Sequence, residues 1–111
     1  TYDLNIEIDL ATIEPLIALP GSPGNVVSVK EVSGLKINQV VIGSSANPGL
    51  RDFWMASQIV KNQVISPDVS LDINPSSRQV LENLTEMGAL GPLIAAGGRL
   101  HQSGCMGCIG M

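Results

Sequence analysis

Cys105 and Cys108 are separated by Met106 and Gly107, with Gly104 before the pair and Gly110 after it. A Cys-x-x-Cys spacing lets two thiolates face one metal ion or cluster. A backbone rich in glycine can approach a bulky inorganic group closely and offer N–H groups to its sulfurs. The same spacing also serves a redox pair or two inert buried thiols. A four-ligand zinc site needs two further ligands, and His101 is the one imidazole in the sequence.

A second region with chemical potential is Gly43-Ser44-Ser45-Ala46-Asn47, which follows the apolar run Val40-Val41-Ile42 and precedes Pro48. A turn between a strand and a helix presents its residues at the carboxyl end of a parallel sheet, where ligands of open α/β sheets bind. Helix N–H groups there favour an anion. The turn lacks the lysine of a Walker loop and the spacing of a G-x-G-x-x-G turn. Helix capping alone also accounts for Ser44, Ser45 and Asn47. His101 reads as a structural hydrogen-bonding group, and Arg99 as a residue for a carboxylate or for the surface. Arg78 and Glu82 have the i, i+4 spacing of an exposed helix pair. The sequence assembles no Ser-His-Asp set and no paired carboxylates.

The elements that must position these residues follow from the hydropathy pattern. Tyr2, Leu4, Ile6, Ile8 and Leu10 alternate with polar residues and predict a half-buried strand at a sheet edge. Pro15, Pro20, Gly21, Pro23 and Gly24 make the following segment irregular, with a short strand or turn near Val26 to Val29. A buried strand is expected over residues 38–42 and a helix from Pro48 to about Asn62, capped by Asn47. A second strand is expected over residues 69–73. A second helix then starts at Asn74-Pro75-Ser76, lined by Val80, Leu81, Leu84 and Met87 and ended by Gly88. A helical turn at residues 93–96 stops at Gly97-Gly98. The β-α-β-α order predicts an α/β fold, a three-layer α/β/α arrangement with a mainly parallel sheet, in a single domain over residues 1–111.

Composition narrows the function. The 111 residues are 44% hydrophobic and only 14% charged, and ten acids against six bases give a net charge of −4. An acidic balance argues against a nucleic-acid surface. No apolar run reaches the length of a membrane span, and no basic, apolar leader opens the chain. The expectation is a cytoplasmic domain with no membrane or nucleic-acid partner. Sparse charge suggests an apolar surface turned towards other domains of a longer parent chain.

Together, Val41-Ile42-Gly43-Ser44-Ser45-Ala46-Asn47, Ile73-Asn74-Pro75-Ser76-Ser77-Arg78 and Gly104-Cys105-Met106-Gly107-Cys108-Ile109-Gly110 resemble the aconitase family. In the third domain of that family a G-S-C-T-N turn, a proline-serine helix start and a C-G-P-C-I-G loop occur in this order. The resemblance covers residues 38–111 well and the N-terminal third more loosely. Three motifs in order are far more specific than one.

The resemblance implies a hydro-lyase that interconverts citrate and isocitrate through cis-aconitate, with relatives acting on homoaconitate or isopropylmalate. It implies a [4Fe–4S] cluster on three cysteines, whose open iron acts as a Lewis acid on a tricarboxylic or hydroxy-acid substrate. The base is a serine in a swivelling domain outside this chain, so this fragment by itself is expected to be inert. Carried over by position, Cys105 and Cys108 are two of the three cluster ligands. Ser45 stands where the family has the third cysteine, and Ala46 where it has threonine. Ser44 and Asn47 fall beside the cluster. A serine hydroxyl is a harder and far less acidic ligand than a thiol. The alternative reading is therefore a cluster-free redox or iron-sensing domain in which Cys105 and Cys108 form a disulfide.

Overall fold

The computed structural model describes residues 2–105 and 107. It forms two compact units, residues 1–36 and residues 37–111.

In the first unit, strand β1 (Leu16–Ala18) pairs antiparallel with β2 (Val26–Ser28), Ile17 opposite Val27. The connecting loop holds the Pro-Gly pairs expected to interrupt regular structure. A 3-10 turn at Leu10–Thr12 is capped by the Asp9 carboxylate, and another at Val29–Val32 by Ser28 and Glu31. The strand expected over Tyr2 to Leu10 is not formed. This segment pairs with no strand among the described residues, and its five apolar side chains are 67% to 93% exposed. Alternation supplies a face to bury. Without a neighbouring ladder for the N–H and C=O groups it does not make a strand.

The second unit is built on a parallel sheet of order β3-β4-β5: β3 (Gln39–Gly43), β4 (Ser70–Asn74) and β5 (Gly98–Leu100). Val41 registers with Asp72, and Asp72 with Arg99. Helix α1 (Leu50–Val60) connects the first two strands, while α2 (Arg78–Glu86) and α3 (Leu90–Ala95) connect the second pair. This is the α/β, parallel-sheet class that the sequence predicts. β5 adds a third strand to the two expected.

Phe53 of α1, Leu84 of α2 and Leu93 of α3 are fully buried in one cluster with Leu71 and Ile73 of β4. Each such side chain contributes about 1.5–3 kcal/mol relative to exposure. Side chains alternate along a strand, so Leu71 and Ile73 on the helical face put Ser70, Asp72 and Asn74 on the other.

Two helix starts differ from the pattern. The cap of α1 is Gly49, whose N–H donates to the Asp52 carboxylate at 3.0 Å, and neither Asn47 nor Pro48 is in the helix. A carboxylate in the first turn answers the open N–H groups as a capping side chain does. Helix α2 begins at Arg78, with the Ser77 hydroxyl accepting from the Val80 N–H at 3.2 Å. Asn74, before a proline and still in β4, and Ser77, with extended backbone, lie outside the helix. Gly88, with φ +70°, closes that end as expected.

Candidate functional site

The carboxyl ends of β3, β4 and β5 open onto the glycine-serine turn and onto the loop that carries the cysteines. Gly43, at φ +138°, ends β3 against the Asn74 backbone, where any Cβ would overlap the Asn74 carbonyl. Only glycine fits there, in conformation and in space. The following residue, Ser44, is buried and also takes a positive φ, 149°. Its N–H donates to the Asn74 carbonyl at 3.2 Å. A non-glycine residue in that region is strained, and such strain is typical of functional turns.

The cysteine loop comes back to this turn. Cys105 Sγ lies 3.8 Å from Ser44 Oγ. The Gly104 N–H donates to the Pro75 carbonyl at 3.2 Å, and the Gly107 N–H to Asn74 Oδ1 at 3.4 Å. A side chain on Gly107 would run into Val41. Asn74, fully buried, also donates its Nδ2 to the Gln102 carbonyl at 2.7 Å.

Of the residues singled out from sequence, the structure therefore brings Ser44 and Cys105 together. Ser45 and Asn47 sit exposed on the same turn. Cys108 lies outside the described residues. Among the described residues no three His, Cys, Asp or Glu side chains converge on one point. The place nevertheless suits a group bound between turn and loop. A thiol and a hydroxyl face each other there. Gly107 packs against Val41, and in the same loop the buried Ser103 hydroxyl has no partner among the described residues.

Below the turn, the sheet face opposite the helices carries a charged network that the sequence reading missed. Asp72, 1% exposed, accepts from Gln39 Nε2 (2.7 Å) and Ser70 Oγ (2.9 Å) on one oxygen. Its other oxygen accepts from His101 Nε2 (2.8 Å) and Arg99 Nε (3.1 Å). The Gln39 and His101 hydrogen bonds, helped by Ser70 and the Arg99 charge, outweigh burial and hold this carboxyl well below the usual carboxylate range. His101 thus has the structural role expected of it, and Arg99 meets a carboxylate of its own sheet. The available signal was a charge in the middle of Leu71-Asp72-Ile73, which requires a polar sheet face with a cation beside it.

The model of the aconitase family (aconitate hydratase) matches residues 30–111. The chain is 40% identical over 109 residues to the 3-isopropylmalate dehydratase large subunit of Moorella thermoacetica, covering 98% of this chain and 26% of that protein. It is 37% identical over 110 residues to a 3-isopropylmalate dehydratase large subunit of Rubrobacter xylanophilus, covering 99% and 26%. With the corresponding protein of Thermotoga maritima the identity is 38% over 112 residues, covering 99% and 27%. The parallel α/β sheet with a glycine turn and a cysteine loop at its strand ends defines the class, and the chain belongs to the aconitase family. It spans about a quarter of the length of the curated relatives it matches. No helix among the described residues is long and apolar enough to cross a membrane.

Proposed function

We propose that the full-length protein is a cytoplasmic hydro-lyase that removes water from a hydroxy-acid carrying several carboxylates and adds it back. Family membership supports this reading, and one observation carries it: the turn and the cysteine loop that match the family meet at Ser44 and Cys105, at the carboxyl ends of the sheet. In the proposed site Cys105 and Cys108 are cluster ligands and Ser45 stands in the third ligand position, with Ser44 and Asn47 beside them. An iron–sulfur cluster bound there supplies an open iron as Lewis acid for the departing hydroxyl.

The chain's own contribution is placement. Ser44, held strained against β4, and the Gly104 and Gly107 N–H groups, tied to Pro75 and Asn74, hold the turn and the loop together. Residues 1–111 are one piece of the cluster-binding region, inert without the part of the protein that brings the base. The resemblance alone suggested citrate and isocitrate. The names of the relatives favour a 3-isopropylmalate-type substrate instead. The test is turnover of citrate, isocitrate and 3-isopropylmalate by the full-length protein after anaerobic reconstitution, read by the absorbance of the unsaturated acid. Dehydration of 3-isopropylmalate supports the proposal in full. Turnover of citrate alone supports the chemistry and overturns the substrate choice. Absence of all three activities in a protein that holds a cluster, with the part that brings the base present, overturns the hydro-lyase reading.

A further inference from the structure

We infer that Asn74 is the positioning residue of this site, a clamp that holds the cysteine loop against the glycine-serine turn. Three of its groups are committed to the two segments. Its carbonyl accepts the Ser44 N–H (3.2 Å), its Nδ2 donates to the Gln102 carbonyl (2.7 Å), and its Oδ1 accepts the Gly107 N–H (3.4 Å). It is the last residue of β4, the central strand, and is fully buried. A buried carboxamide needs partners for both ends, and here both ends are satisfied by backbone of the loop that carries Cys105. An apolar strand residue of similar size would pack as well at the end of β4 but would leave the Gln102 carbonyl and the Gly107 N–H unpaired. The side chain is thus fitted to the loop, and through it to the separation between Ser44 and Cys105. The role of that separation in cluster binding rests on the proposed function. The clamp itself does not.

Amide hydrogen exchange of the metal-free full-length protein tests the clamp directly. Loss of two part-buried hydrogen bonds in Asn74→Val should speed exchange of residues 102–107 by about tenfold, with α1 and α2 unchanged. Unchanged exchange in 102–107, or a uniform rise across residues 37–111, overturns the inference. Asn74→Asp keeps the volume and the acceptor for Gly107 but faces a carboxylate oxygen to the Gln102 carbonyl. It carries the same expectation if the valine variant does not fold. In cluster-loaded protein, a chelator should strip iron from either variant about tenfold faster than from the wild type, and equal rates overturn the link to the site. A wild type that takes up no iron overturns the proposed function instead, while the exchange comparison still decides the clamp.

Discussion

The Ser44 hydroxyl oxygen stands 3.8 Å from the Cys105 sulfur across 61 positions of sequence. Nothing local makes this contact. It depends on β4 lying between β3 and β5, so that the residues following the outer strands meet over the end of the central one. Disturbing the end of β4 should therefore disturb the site before it disturbs the helices.

Gly43→Ala tests the tightest point of that arrangement. The new methyl would overlap the Asn74 carbonyl, at a φ that alanine adopts poorly. A loss of about 1–3 kcal/mol is expected from strain alone, seen as a lowered thermal midpoint. Cluster uptake should fall with it.

Asp72 predicts the response to acid. Its carboxyl titrates below the ordinary value of 3.8 in the folded protein, so the folded state prefers the ionised form. A depressed pKa gives stability that is present above the unfolded value and lost as pH falls through the folded one. Below about pH 4 the thermal midpoint should therefore drop steeply, and Asp72→Asn should flatten that drop. At neutral pH the same variant should lose about 1–3 kcal/mol, because an amide cannot accept from four donors as a carboxylate does.

Leu84 reports on the helical layer. It is fully buried against α1, α3 and β4. Leu84→Ala should cost about 2–5 kcal/mol through lost transfer energy and a residual cavity. Denaturant titration measures it, and a cost under about 1 kcal/mol would show that the site collapses around the smaller side chain.

Ser45→Cys supplies the thiolate that the proposed site calls for at this position. Thiolates hold iron far better than hydroxyls, so the variant should keep its iron at least about tenfold longer against a chelator. Equal retention would mean that position 45 does not reach the cluster.

Legibility in the sequence followed the length of each signal. β3, α1, β4 and α2 were readable within two residues at most ends because apolar periodicity ran through them. β5 is hard to see because three residues, one of them a glycine, carry no period, and Arg99 reads equally as a carboxylate partner or as surface until Asp72 is seen beside it. β1 was hidden between prolines. The strand expected at Tyr2 to Leu10 failed for the converse reason: a clear period with no ladder to join. In the site, Ser44 and Cys105 were visible through their motifs. Asn74 reads only as part of a helix start, since one sequence cannot show that its carboxamide meets a loop 28 residues onward.

The most direct test of the whole account is iron and acid-labile sulfide per chain in the full-length protein, purified and reconstituted without oxygen. A near-stoichiometric cluster is expected, lost when Cys105 or Cys108 is replaced by serine. No iron and no sulfide, with Cys105 and Cys108 instead joining in a reversible disulfide, would contradict it and leave the fold without its Lewis acid.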